Sequence, residues 1–169
     1  MTDLVFVDTN ILVYMRDAAH ASKQAQATQC MKDLWSHRSG RISMQVLGEF
    51  YTTVTRNLPR RIDPDAAWRH VVDLMSWNPQ PTDRALLESA REIERRYRTS
   101  WYDATIIAAA QRQRCKILLS EDFQDGMNFD QVTVRNPFAS GVPEKAADYS
   151  ETVVPNPRHR RRGRPARVA

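Results

Sequence analysis

The sequence lacks any apolar run approaching the roughly 20 residues that a membrane-spanning helix requires. It opens with no basic leader and no small-residue cleavage site, and its first apolar run, Leu4 to Val7, is only four residues long. A secretory signal needs a longer apolar region than this. We therefore expect a soluble, cytoplasmic protein with no membrane association, whose first residues already belong to the fold.

Cysteine and histidine are scarce and show no metal-binding spacing. Cys30 and Cys115 belong to no CxxC pair, and the four histidines form no HExxH pattern. Because zinc sites and disulfide frameworks are built on such patterns, neither is indicated. We expect both cysteines to be reduced, buried thiols.

Acidic residues are missing from the end of the chain, and this explains its basic balance. The 169 residues include 25 Lys and Arg against 20 Asp and Glu, a net charge of +5. Residues 158–169 contain six of the arginines and no acid, which leaves 19 basic residues against 20 acidic ones elsewhere. The basic pI therefore describes a tail, while the body of the protein is nearly neutral.

Short apolar segments alternate with longer helical patterns along residues 1–138, which we expect to form one domain. Strand signals fall at Leu4–Val7, Arg41–Ser43, Ile117–Ser120 and Val132–Val134, and helical patterns at 10–14, 20–37, 44–57, 63–75, 83–96 and 100–113. This alternation predicts a three-layer α/β fold with a central, mainly parallel sheet and helices on both faces. Residues 139–169 lose the periodicity and gain Pro, Gly and Arg, so we expect a basic, flexible extension there.

The two strongest strand signals are each followed by an aspartate. Asp8 comes directly after the first strand, and Asp122 lies just beyond Ser120. Ligands of open α/β sheets bind beyond the carboxyl ends of the strands, so the two aspartates are candidates to face one site. Each also has a purely structural explanation, because aspartate after a strand is a common turn former or helix N-cap.

Two further acids fall on helical patterns. Asp103 shares a helical face with Ile106 and Ile107, so its carboxylate points toward apolar packing. Alternatively, Ser100 and Asp103 form an imperfect capping box that satisfies backbone donors of the helix. Glu49 borders an apolar stripe, and its structural explanation is a solvated helix residue.

The combination of acids indicates a chemistry that no single one does. Converging carboxylates repel one another unless protons or cations offset their charge. Mg²⁺ prefers oxygen ligands and keeps several waters, which leaves positions for phosphate oxygens. Such an ion can orient a water, lower its pKa and stabilise charge on a phosphate. If the four acids converge, they point to phosphodiester hydrolysis.

Four segments resemble, in the same order, the acidic motifs of PIN domains. They are Phe6–Leu12, Gln45–Phe50, Tyr102–Ala110 and Leu118–Gly126. The resemblance covers roughly residues 3–138 and is specific as a set of motifs. It points to the VapC-type toxins of bacterial toxin–antitoxin pairs.

This resemblance implies a Mg²⁺-dependent endoribonuclease, with Mn²⁺ as an alternative ion, that cleaves a structured RNA such as tRNA or rRNA and so inhibits translation. It implies that Asn10 and Ser120 support the site by hydrogen bonding. It also implies an antitoxin partner that covers the acidic site and, commonly, a homodimer. The metal ligands that it assigns are Asp8, Glu49, Asp103 and Asp122.

Cations are needed near four acids that repel an RNA backbone. Arg91 and Arg95 line one face of a predicted helix, and the tail supplies Arg158, Arg160, Arg161 and Arg162. With six tail contacts, the salt slope for single-stranded RNA would change by roughly 4. The alternatives are a solvated helix face and a disordered, solubilising tail. Trp101 and Tyr102 could stack an unpaired base, but we expect them in the core.

Two other functions remain open. A non-catalytic RNA-binding module would act through the Arg-rich tail and leave the acids with structural roles. An aspartyl-nucleophile phosphatase would also carry an aspartate at position 8, but its motif requires aspartate where this chain has Asn10. A Rossmann cofactor domain is disfavoured because no glycine-rich turn follows the first strand.

Overall fold

Helices and strands alternate along residues 3–139, the part of the chain that a computed structural model describes. The helices there are α1 (Thr9–Tyr14), α2 (Ala21–His37), α3 (Met44–Thr52), α4 (Pro64–Met75), α5 (Arg84–Tyr97) and α6 (Trp101–Arg112). The strands are β1 (Val5–Val7), β2 (Gly40–Arg41), β3 (Ile117–Leu119), β4 (Asn128–Phe129) and β5 (Val132–Arg135). The arginines of the predicted extension lie outside the described residues.

The strands form one sheet in the order β2-β1-β3-β5-β4. All neighbouring pairs are parallel except β4 and β5, which are antiparallel. Phe6 and Val7 are consecutive in β1 and therefore point to opposite faces of the sheet. Both are fully buried, so both faces are covered. The predicted α/β fold with a mainly parallel sheet is confirmed.

Local sequence signals account for most helix starts. Ser43, Asp63, Asp83 and Ser100 are N-caps, and the side-chain oxygen of each accepts a hydrogen bond from a backbone N–H in the first turn of its helix. Such caps satisfy backbone donors that would otherwise have no partner. After α3, Thr53–Asn57 forms a π-helical turn, so the predicted helix over 44–57 holds with a change of pitch near its end.

The edge strands differ from the prediction. Helix α2 ends at His37, and the C-cap residue Arg38 adopts the left-handed conformation. Strand β2 then begins at Gly40, one residue before the predicted strand. Strand β4 was not predicted, because two residues with one exposed asparagine give no apolar pattern. It exists because it pairs with β5 across a tight turn.

The described residues test the prediction that both cysteines are reduced, buried thiols. Cys30 and Cys115 are both free thiols, as predicted. Only Cys115 is buried, so the prediction that Cys30 is also buried is wrong. Burial raises the pKa of the Cys115 thiol to about 12, which keeps it protonated and unreactive. Within residues 3–139, no helix combines the length and the apolar character that crossing a membrane requires.

Gly40 is required by a close approach to Trp77. A Cβ at position 40 would overlap the six-membered ring of Trp77, whose side chain is buried beneath β2. We expect Gly40→Ala to lower the free energy of unfolding by about 1–3 kcal/mol, because the ring must shift in a packed interior. Chemical denaturation measures the effect.

Gly48 provides the matched control. It lies in α3 and an added Cβ there would meet nothing within 4 Å. Gly48→Ala should therefore raise the free energy of unfolding by about 0.5–1 kcal/mol, since glycine is a poor helix former. A destabilised Gly48→Ala, or an unaffected Gly40→Ala, would contradict this view of the two glycines.

Candidate active site

The strand order creates a crevice at the carboxyl end of β1. The chain leaves β1 toward β2 on one side, while β3 flanks β1 on the other. Because the neighbours of β1 on its two sides are reached by connections that run in opposite directions, a crevice opens at the carboxyl end of β1. Ligands of α/β sheets bind in crevices of this kind. Val7 is paired with Leu119, and the Asp8 N–H donates to the Leu119 carbonyl at 3.0 Å. Asp8 and Ser120 therefore emerge side by side.

Asp8 is a carboxylate with no exposed surface. Its Oδ1 accepts a hydrogen bond from the Thr9 N–H at 2.6 Å, and its Oδ2 accepts one from the Ser120 hydroxyl at 2.7 Å. A third donor, the Asn10 side-chain amide, lies 3.4 Å from Oδ2. These donors orient the carboxylate and offset the cost of taking it out of water.

Asn10 and Ser120 connect Asp8 with Asp122. The Asn10 amide nitrogen donates to the Asp122 Oδ2 at 3.0 Å and to the Ser120 Oγ at 3.1 Å. The Ser120 oxygen also accepts from the Asp122 backbone N–H at 3.1 Å. Since the single hydroxyl proton of Ser120 goes to Asp8, its lone pairs serve the other two donors. The Asn10 amide group therefore contacts the carboxylates of both Asp8 and Asp122.

Glu49 joins the same network through Thr9. The Thr9 hydroxyl donates to the Glu49 Oε2 at 2.7 Å, while the Thr9 backbone N–H binds Asp8. The other carboxylate oxygen of Glu49 accepts from the Gln45 side-chain amide at 2.9 Å, one helical turn earlier on α3. Thus α3, which follows β2, brings a third acid to the carboxyl end of β1.

Asp103 stands in the first turn of α6 and is partly buried. Its backbone N–H donates to the N-cap Ser100 at 3.1 Å, so the capping half of the predicted box is present. Two residues later, the buried Thr105 hydroxyl oxygen lies 2.6 Å from both the Gln45 Oε1 and the Tyr102 carbonyl oxygen, which share its single proton. Gln45 therefore couples the start of α6 to Glu49. The network spans the elements that carry all four predicted acids.

Sequence reasoning missed three polar residues of this network. None of them is an acid: Thr9 is adjacent to Asp8, Gln45 lies one helical turn before Glu49, and Thr105 lies two residues after Asp103. A signal did exist, because Gln45 and Glu49 have the i,i+4 spacing at which helix side chains meet. The partners of Thr9 and Thr105, which lie 40 and 60 positions away in the sequence, could not be read from any local pattern.

The donor set at this crevice suits a hard divalent cation. The acids offer only carboxylate oxygens, which Mg²⁺ and Mn²⁺ prefer over softer ligands. In the described part of the chain, no three His, Cys, Asp or Glu side chains stand in a geometry that already holds a metal ion. Asp8 and Asp122 both contact the Asn10 amide, and Asp8 and Glu49 both accept hydrogen bonds from Thr9. The chemistry of these donors fits a cation that would bring the three carboxylates closer to one another.

Of the arginines predicted to contact RNA, the structure describes Arg91 and Arg95. Arg91 forms an exposed ion pair with Glu94 on α5, which is the contact expected of a solvated helix face. Arg95 is also exposed. Trp101 packs against the core as predicted, whereas Tyr102 is 51% exposed, so the prediction that it lies in the core is wrong. The tail residues Arg158, Arg160, Arg161 and Arg162 lie outside the described residues.

Comparisons with known proteins agree with this architecture. A family model described as the PIN domain matches residues 5–132. A structure of a toxin–antitoxin complex from Klebsiella pneumoniae is 20% identical, covers 79% of this chain and 97% of its own, and gives a TM-score of 0.57. The structure of VapC20 from Mycobacterium tuberculosis, a toxin that cleaves the sarcin–ricin loop, is 22% identical in sequence. It covers 68% of this chain and 86% of its own, and gives a TM-score of 0.50. No curated protein matches the sequence significantly.

Proposed function

The chain belongs to the PIN domain family, and from this premise we propose that it is a metal-dependent endoribonuclease, the toxin of a type II toxin–antitoxin pair. One observation carries the proposal. Asp8, Glu49 and Asp122 come from three separate parts of the sequence and are tied into one hydrogen-bond network at the crevice beside β1. An aspartate with a purely structural role after a strand would need hydrogen bonds only to the backbone of its own turn.

Each residue of the site has a role in this proposal. Asp8, Glu49, Asp103 and Asp122 would hold Mg²⁺, or Mn²⁺ in its place. When bound, the cation supplies an activated water and neutralises charge on the phosphate. Asn10 and Ser120 hold the carboxylates of Asp8 and Asp122 in place. Thr9 does the same for Glu49.

The proposed substrate is a structured RNA, tRNA or rRNA, whose cleavage inhibits translation. Support comes from the fold that this chain shares with VapC20, whose own substrate is the sarcin–ricin loop. The toxin–antitoxin complex of similar fold supports an antitoxin partner. We propose that this partner covers the acidic site. We further propose that the protein forms a homodimer and acts in the cytoplasm, where its RNA substrates are.

RNA must be held by groups other than the acids, which repel its phosphates. The proposed cations are Arg91, Arg95 and the arginines at 158, 160, 161 and 162. An arginine-rich segment can follow a phosphate backbone without base contacts, and its contribution falls steeply with salt. Removing residues 140–169 should therefore flatten the salt dependence of RNA binding if this proposal is right.

Tyr102 is an exposed aromatic ring next to Asp103, and we expect it to stack on an unpaired base of the RNA. Stacking on an aromatic side chain stabilises binding by about 1–3 kcal/mol per base. Tyr102→Ala should therefore raise KM about tenfold and leave kcat nearly unchanged, because the ring binds substrate without reacting. Tyr102→Phe keeps the ring and should behave as wild type in the same assay. Equal KM values for Ala and Phe would exclude stacking.

Sequencing of RNA ends after brief expression tests the proposed function directly. New ends at a defined position should accumulate with the wild-type chain and be missing with Asp8→Asn. The position of those ends would identify the RNA and the bond that is cleaved. If both proteins give the same ends, the acids are not catalytic, and a non-catalytic RNA-binding module acting through the Arg-rich tail becomes the better interpretation.

A further inference from the structure

A second polar cluster, formed by Tyr14, Lys23 and Glu121, lies beside the candidate active site and has no part in the function proposed above. The Tyr14 hydroxyl donates to the Glu121 Oε1 at 2.6 Å, and the Lys23 ammonium donates to the Glu121 Oε2 at 2.6 Å. Lys23 also donates to the Tyr14 oxygen at 3.1 Å. Both oxygens of the Glu121 carboxylate are therefore occupied by partners remote in sequence.

The position of Glu121 makes this arrangement consequential. It lies between Ser120 and Asp122, both of which belong to the acidic network, and its backbone N–H faces the Asn10 side-chain oxygen at 3.5 Å. A carboxylate at this point of the chain is a potential fifth acid of the site. Its charge would add to the repulsion among the four acids and offer a cation one more ligand.

Lys23 is held firmly in its place. Its ammonium lies 4.5 Å from the centre of the Tyr14 ring and 5.3 Å from that of Phe138, and the two rings pack edge to face at 5.2 Å. The Lys23 side chain is 35% exposed and that of Glu121 is 22% exposed. Burial alone would lower the pKa of Lys23, but its hydrogen bonds to Glu121 and Tyr14 outweigh burial and raise that pKa, so the lysine is charged.

We propose that Lys23 and Tyr14 are positioning residues that hold the Glu121 carboxylate out of the acidic site, so that a bound cation meets four carboxylates and not five. This inference rests on the proposed nuclease function. Lys23→Met removes the ammonium and keeps an unbranched apolar chain of similar length, so Glu121 should turn toward Asp122. Cleavage should then fall about 10- to 100-fold in kcat, the range found when groups around a metal site are changed.

A rescue experiment distinguishes this role from a general loss of structure. Glu121→Gln removes the charge that Lys23 restrains, and it should cleave within about threefold of wild type. The double variant Lys23→Met with Glu121→Gln should recover to the level of Glu121→Gln alone. Lys32→Met changes an exposed lysine on the same helix, α2, and should behave as wild type.

Mn²⁺ binding provides a second readout that does not depend on RNA cleavage. In a titration of purified protein with Mn²⁺ alone, the EPR signal of the free ion decreases as Mn²⁺ binds. We expect this titration to give a lower Kd for Lys23→Met than for wild type. The Glu121→Gln change should cancel this tightening. Tyr14→Phe keeps the ring packed on Phe138 and removes one donor to Glu121, so it should shift Mn²⁺ binding in the same direction by a smaller amount.

Three results would overturn the inference. The double variant could cleave as slowly as Lys23→Met, which would mean that Lys23 does not act through Glu121. Glu121→Gln could be as slow as Lys23→Met, which would make Glu121 itself a required group. Lys23→Met could leave both cleavage and Mn²⁺ binding unchanged. If Asp8→Asn also cleaves normally, the nuclease proposal fails; if Asp8→Asn is inactive, only the role of Lys23 and Tyr14 fails.

Discussion

Purified Asp8→Asn protein should cleave RNA at least about a thousandfold more slowly than wild type. Asp8 has no exposed surface, and its two oxygens already accept hydrogen bonds from Thr9 and Ser120. Asparagine matches the shape of the side chain but removes the negative charge that a cation would require. A metal ion contributes several kcal/mol to phosphate chemistry, and each 1.36 kcal/mol corresponds to a tenfold change in rate.

The same variant should bind RNA as well as wild type or better, because one negative charge near the phosphates is removed. Thermal unfolding checks that the variant is folded, since its amide can still accept a hydrogen bond from the Thr9 N–H. Asp33→Asn changes an exposed acid on α2 and serves as the matched control, with cleavage expected at the wild-type rate. Wild-type cleavage by Asp8→Asn would refute the nuclease proposal.

The positions of Asp8 and Asp122 illustrate what the sequence can predict about this site. Both follow apolar strands, and parallel neighbours deliver their carboxyl ends to the same edge of a sheet. The structure pairs those strands and joins the two aspartates through Asn10. Asn10 and Ser120 were predicted from the family resemblance alone, because nothing in their local pattern indicates a hydrogen bond across more than 100 positions.

The supporting residues show where sequence reasoning stops. Glu121 lies within the acidic motif Leu118–Gly126, but its partners Tyr14 and Lys23 lie 107 and 98 positions away. A tyrosine and a lysine on helical patterns have ordinary explanations as packing and solvated residues. Tyr102 illustrates the opposite error, because its aromatic character predicts burial while the packing of α6 leaves it exposed.

Asn10→Asp should be the most informative change outside the four acids. The Asn10 amide nitrogen lies 3.0 to 3.4 Å from acceptor oxygens of Asp8, Ser120 and Asp122, which share its two N–H donors. An aspartate of the same shape replaces this donor with a charged acceptor facing two carboxylates. Without metal we expect a loss of about 1–3 kcal/mol in the free energy of unfolding. Cleavage should fall about a hundredfold, because the carboxylates lose their common support.

Asn10→Leu separates the added charge from the lost hydrogen bonds. Both variants lose the amide donor, but only Asn10→Asp gains a negative charge that a cation can neutralise. A ligand stabilises the folded state more when it binds more tightly. Adding Mg²⁺ should therefore raise the unfolding temperature of Asn10→Asp more than that of wild type. It should raise the unfolding temperature of Asn10→Leu no more than that of wild type. Identical responses of the two variants to Mg²⁺ would mean that position 10 does not border a cation site.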